Sequence, residues 1–308
     1  MRNRKKIGLF KVESTYNVNP TPSLTTDALL VRKLDITPLQ AETASLDYIR
    51  PFFGASDSVV TAKQAALSLE MAITGTPTAG TAHAPLDASM KSAGHAATVV
   101  ANTSVTYNPV SSAISSLTAL FNLDGVQHVI TGARANVKAS IKQGEIPVFM
   151  FDLTGNFNTP TDTVQGTPTY TQLTPVAVGV GNTTCSIFGN STFKLVSFDF
   201  DAGNSVNVIR YANTTDEVLI TDRKAKGKLV LEATTIATRN FFNDAINTTT
   251  GALSVVHGST AGNKVEIAAP RMSIEGVNYG DLQGVATIEL DVVFTPSAGN
   301  DEYTIKFF

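Results

Sequence analysis

Four histidines, one cysteine and two sets of carboxylates are the side chains of this 308-residue chain that could do chemistry. Metal binding would need His83, His95, His128 or His257 at ligand spacing, beside Cys or clustered carboxylates, and none of them stands that way. His83 and His95 fall on a loop and a helix end and read as solvated. His257 precedes Gly258 and Ser259, a base beside a nucleophile. Adjacent residues on one turn rarely build a triad, however, and no nucleophile elbow is present. No Gly-rich loop that could cradle phosphate precedes a helix. Glu70 with Glu232, and Glu289 with Asp291, read as polar residues on the exposed faces of half-buried strands rather than as catalytic pairs. They still matter as a field. The residues predict no enzyme, no cofactor and no metal.

Composition narrows the class further. Net charge is −3 and the isoelectric point about 5.8, which argues against sequence-independent affinity for nucleic acid. Aromatics are sparse and Trp is absent, so stacking platforms for sugars or bases are not expected. No apolar run is long enough to span a bilayer. The opening Met1-Arg2-Asn3-Arg4-Lys5-Lys6 is basic, but the apolar run from Ile7 to Val12 is too short and interrupted for a signal-peptide core, so neither targeting nor membrane anchoring is expected. Cys185, alone, excludes an intramolecular disulfide. Abundant Thr, Val, Asn and Gly, with short apolar runs between Gly/Asn/Pro turns, predict an all-β protein.

The elements come in two copies. Asp124-Gly125, then Gly132-Ala133-Arg134, then Gln143-Gly144 and a closing strand, are echoed by Gly262, then Ala269-Pro270-Arg271, then Gln283-Gly284 and a closing strand. Gly125 and Arg134 stand as far apart as Gly262 and Arg271. Leu67-Ser68-Leu69-Glu70 matches Leu229-Val230-Leu231-Glu232, and Leu34-Asp35-Ile36 matches Phe198-Asp199-Phe200. Such a repeat reads as a tandem duplication, the first copy lengthened in its loops. The expected layout is an N-terminal arm at 1–27, a first β-sandwich at 28–157, a linker at 158–190 and a second β-sandwich at 191–308. Each sandwich carries one short helix, at 85–93 and 239–247, and at this length each is expected to bury its own core. Residues 133–141 alternate strictly, with Ala133, Ala135, Val137, Ala139 and Ile141 facing a core. Residues 1–25 of the arm, residues 75–85 and residues 159–181 of the linker are rich in Pro, Thr and Gly and are expected to order only against a neighbour.

Several segments also carry a resemblance. Leu9-Phe10-Lys11-Val12-Glu13-Ser14-Thr15-Tyr16, Asp35-Ile36-Thr37-Pro38-Leu39 and Ile49-Arg50-Pro51-Phe52-Phe53-Gly54 resemble the N-terminal pattern of tail tube proteins of long-tailed bacteriophages. Tyr107-Asn108-Pro109-Val110-Ser111-Ser112, Gly132-Ala133-Arg134, Gly144-Glu145-Ile146-Pro147, Ile220-Thr221-Asp222-Arg223-Lys224 and Gly299-Asn300-Asp301-Glu302-Tyr303-Thr304-Ile305 are similar to the same family, in order along the chain.

The resemblance implies a structural virion protein, assembled in the cytoplasm of the bacterial host and located in the tail. Its stacked rings would form a conduit through which DNA passes without specific binding. It implies tape measure, tail terminator and tail-tip proteins as partners. Family rings are six-fold, built from single sandwiches, so a duplicated chain implies a trimer with pseudo-six-fold symmetry. A DNA conduit favours an acidic or neutral wall, which nominates Glu70, Glu232, Glu289 and Asp291 as lumen-lining. The rival assignment places them on the outer surface, with Arg134, Asn136 and Lys138 inward. A different class, an adhesin or carbohydrate-binding β-sandwich, is disfavoured by the lack of Trp.

Overall fold

Alternation of apolar and polar residues builds most of this molecule. On the strand holding Leu67, Leu69 and Met71 these side chains are buried, while Ser68 and Glu70 point away. The computed structural model describes residues 2–308. In the first half run β1 (Lys6–Val12), β2 (Ala28–Leu29), β3 (Lys33–Ser45), β4 (Ser58–Ala72), α1 (Ala84–Ser92), β5 (His95–Val100), β6 (Ser104–Pro109), β7 (Leu117–Leu123), β8 (Val126–Lys142), β9 (Val148–Phe157) and β10 (Thr161–Asp162). The second half has β11 (Thr183–Ile187), β12 (Leu195–Asp201), β13 (Asn204–Ile209), β14 (Glu217–Arg223), β15 (Lys226–Glu232), α2 (Phe241–Ile246), β16 (Gly251–His257), β17 (Val265–Leu282), β18 (Val285–Phe294) and β19 (Thr304–Phe307).

Two layers enclose the core. One is a continuous antiparallel run of eight strands, β3-β4-β9-β8-β12-β15-β18-β17, that crosses from the first half to the second at β8–β12. Facing it lie β2-β1-β7 with the early part of β8, and β5-β6-β19 with the early part of β17, β16 and β11. The long strands β8 and β17 belong to both layers, and each shifts register where it changes sheet. Buried side chains from both halves, including Phe149, Phe151, Phe198, Phe200, Leu229 and Leu290, form one contiguous cluster. The expectation of two separate cores is therefore corrected. Once β12 pairs with β8, the apolar faces of the two halves become a single surface, and β19 pairing with β6 closes the other layer across the same joint.

The two halves share a pairing pattern, and that pattern takes in β1. β1 pairs with β7 along its whole length just as β11 pairs with β16, and each half ends in a strand, β10 or β19, on the outer side of its long strand. The N-terminal arm is thus a strand of the first half, with Phe10 in the main core and Ile7 and Leu9 in a small separate cluster with Ala28 on its other face, and its counterpart lies within the linker. The remaining linker is tied to the same chain. The Gln172 amide exchanges hydrogen bonds with the Leu30 backbone, and Val178 with that of Gly144 and Glu145. Residues 75–85 are likewise seated, the Gly75 N–H donating to Asn263 Oδ1 at 2.7 Å. A Cβ on Gly75 would come within 1.7 Å of the Gly262 carbonyl oxygen, so only glycine allows that contact. None of the three segments lacks partners in its own chain. The extra length of the first half is the β5–β6 hairpin, which supplies the strand that β19 joins.

The turns obey their sequence. Asp124-Gly125 and Gln283-Gly284 have positive φ at both residues, the two-residue geometry that suits the twist of a hairpin. The basic opening folds back on the first of these turns, Lys5 Nζ standing 3.5 Å from Asp124. One equivalence fails. Arg134 lies opposite Thr154, whose counterpart Asp291 lies opposite Gly276, so Arg134 matches Gly276 and not Arg271. The turn before β17 spans 258–264, where β7 and β8 are joined by 124–125 alone, so equal counts from the turn glycines reach different places on the two strands.

Candidate functional site

Directly opposed residues in an antiparallel sheet share a face, and this rule traces one polar surface across all eight strands. Lys33, Glu70, Met150, Lys138, Asp201, Lys226 and Val293 succeed one another across it. One step along, Ser140, Asp199, Lys228, Asp291 and Gly276 do the same, with Glu289 at the next position and Glu232 one further. Glu70, Glu232, Glu289 and Asp291 therefore lie together on the face away from the core. So do Asn136 and Lys138, which corrects the rival assignment: residues set against each other as inner and outer are neighbours. Arg134 is a separate case, half-buried under the β13–β14 hairpin, where its guanidinium donates to the carbonyls of Ile114 and Val218.

The face is balanced rather than acidic. Glu70 pairs with Arg32 at 3.4 Å, Glu232 with Lys194 at 2.7 Å, Glu289 with Lys228 at 2.7 Å, and Asp152 with Lys138 at 3.0 Å. A hydrogen bond from Lys6 holds the Asp35 carboxyl below its ordinary range, and bonds to Asp152 and Glu289 raise the ammonium groups of Lys138 and Lys228. Such exposed pairs contribute little to stability, so their effect is on the field of the surface. A concavity of about 540 Å³ in this face is lined by Lys138, Asp199, Asp201, Lys226, Lys228 and Asp291, with nothing resembling a nucleophile among them. Among the described residues no group of His, Cys, Asp and Glu is placed to hold a metal ion. Burial pushes the Cys185 thiol up to about 12, which leaves it unreactive.

Two knots of polar residues fix this face on the fold. In the first, the buried Glu13 carboxylate accepts from Ser116, Thr118 and the backbone N–H groups of Asn17 and Gly132. Gly132 has a positive φ, and a Cβ there would meet the Tyr16 ring at 2.9 Å. The Tyr16 hydroxyl in turn accepts from Val218 N–H at 2.7 Å, locking the β13–β14 hairpin against the first half.

The second knot lies where the halves join. Arg223 and Glu302 form a buried ion pair, and the guanidinium also donates to the Val110 carbonyl and Asn300. Beside it His95 and the Tyr303 hydroxyl are hydrogen-bonded at 2.9 Å, both fully enclosed. His83 is buried too, so the two histidines expected to be solvated are both interior.

Burial lowers the His95 pKa to about 4, against an ordinary value near 6.5, so folding excludes a proton that the unfolded chain takes up between those limits. Stability from this group is full above pH 6.5 and falls as pH drops toward 4, by about 3 kcal/mol in all. Thermal unfolding between pH 7 and 4.5 is expected to show this slope, and His95→Gln to flatten it. An unchanged slope in the variant would refute the assignment.

Among the described residues no helix is long and apolar enough to cross a membrane. No curated protein matches the chain. A sequence model of the family described as phage tail tube protein matches residues 4–296, which takes in every strand of the eight-stranded sheet and every residue of the first knot. With its mainly β architecture and that near-complete match, the chain belongs to the phage tail tube protein family.

Proposed function

We propose that three copies of this chain close into a pseudo-six-fold ring whose wall is the eight-stranded sheet, polar face inward, and that the rings stack around the path of the DNA. Family membership gives the coarser statement: a structural protein of the virion tail that assembles with other tail proteins into a multi-subunit tube. It leaves the adhesin alternative without support. The observation that supports the finer reading is the joint inside the chain. There Ser197 to Asp201 of β12 pair with Lys142 to Lys138 of β8. The counterpart of β12 is β3, which among the described residues pairs only with β4, and the counterpart of β8 is β17, whose residues 276–282 pair among them only with β18. The chain thus has one joint made and its two halves open at either edge.

Unpaired strand edges are normally covered or closed. Repeating the internal joint between copies satisfies both edges and generates a closed ring. The duplicated sandwiches, with the first beginning at β1 rather than at residue 28, are then the six units of that ring. Tape measure, terminator and tip proteins would meet its interior and ends. Mass measurement of isolated rings is expected to give three chains. Six chains would overturn the pseudo-six-fold arrangement.

A further inference from the structure

The two hairpins that point to one end of the sheet are counterparts in position and opposites in chemistry. In the first half β3 and β4 pair out to Ser45 and Ser58, and the tip at 46–57 holds Tyr48, Ile49, Phe52 and Phe53 in solvent. Ile49 and Phe53 are fully exposed, at 103% and 107%. In the second half the same connection is the β13–β14 ribbon, whose tip at 210–216 has Tyr211 as its large exposed apolar side chain. That ribbon also leans on its neighbour, Arg210 reaching Glu42 at 2.9 Å and Gln64 at 3.2 Å.

A two-stranded ribbon is marginal in water, and a cluster of four large apolar side chains on its tip marks a docking surface. The matching surface is on the same chain but out of its own reach. At the opposite end of the sheet, Leu282 and Val285 flank the β17–β18 turn and Ile246 ends α2, all exposed. Complementary patches at opposite ends of one molecule pair head to tail with a second copy and propagate as a filament.

We propose that the first-half tip alone, and not its second-half counterpart, docks on the next ring, seated against the Leu282–Val285 end of a chain there. Each ring then offers three apolar keys separated by three polar braces, so stacking has three-fold rather than six-fold register. This rests on the ring reading above. It goes beyond that reading by naming which of two equivalent hairpins makes the contact and what receives it.

The test compares Phe52→Ser with Phe53→Ser, Tyr211→Ser, and Leu282→Asp with Val285→Asp, each checked by mass for intact rings and then tracked by sedimentation and microscopy. Tyr211→Ser is expected to polymerise as wild type. The tip double variant should stay as separate rings, its threshold concentration for tubes raised at least about a hundred-fold. The Leu282/Val285 double variant should fail in the same way, and mixing the two kinds of ring should give ring pairs but no tubes, since one sound tip then meets one sound base. Normal stacking of the tip variant, equal loss in Tyr211→Ser, or no pairs on mixing would overturn the inference while leaving the ring intact. A wild-type chain that forms no rings would overturn both readings.

Discussion

Replacing Glu302 with Gln is expected to cost about 3–5 kcal/mol, the penalty of leaving a buried guanidinium without its counter-charge. Arg223 and Glu302 are each about nine-tenths enclosed, so water cannot take over from the lost carboxylate. The substitution keeps the volume and one acceptor, which isolates charge from packing. Arg223 would still bond the Val110 carbonyl and Asn300, so it stays in place and unpaired. For a chain of this length the loss corresponds to a fall in Tm of roughly 6 °C. Replacing both partners, Arg223→Met with Glu302→Leu, should cost less than Glu302→Gln alone, because no buried charge remains. A single variant within about 1 kcal/mol of wild type, by denaturant midpoint, would mean that the pair is hydrated and does not clamp the halves together.

That ion pair also shows what the sequence can and cannot reveal. Tyr107 to Ser112, Ile220 to Lys224 and Gly299 to Ile305 stand out along the chain as separate segments, and in the fold they converge on one guanidinium. Periodicity locates the strands, since faces such as Ala133 to Ile141 and Leu67 to Met71 are set locally by burial. Two-residue turns are legible for the same reason, Asp124-Gly125 above all. Pairing between distant strands is not. Nothing local says that Lys6–Val12 lies along Leu117–Leu123, or that Thr183–Ile187 lies along Leu253–His257, and so the arm and linker look loose in the sequence when both contribute ladder strands. The polar face is hidden in the same way. Alternation assigns each side chain to one side of its own strand, but only the register across eight strands shows that Glu70, Lys138 and Asp291 look the same way.

Particles carrying Glu70→Lys with Glu232→Lys are expected to assemble tubes and to deliver DNA slowly, with the delay largest at low salt. Both carboxylates are only partly enclosed and paired with a flexible Arg32 or Lys194, so their loss should cost at most about 1 kcal/mol each. The consequence is electrostatic. Each reversal removes a negative charge, adds a positive one, and releases a basic partner that the carboxylate had neutralised. If this face lines the lumen, every ring gains these cations at the same height, and a duplex carrying one charge per roughly 1.7 Å of axis meets them in each ring it passes. Contacts of this kind weaken with a slope of about −0.9 in log K per phosphate, so raising salt from about 50 to about 200 mM should restore much of the rate. The opposite change is informative as well. Lys138→Gln with Lys228→Gln strips Asp152 and Glu289 of their partners, makes the face more acidic, and should leave delivery unimpaired. Normal delivery by the first variant, or a delay that salt does not relieve, would place this face away from the DNA. The charge pairs would then serve the outer surface of the tube or its contacts with other tail proteins.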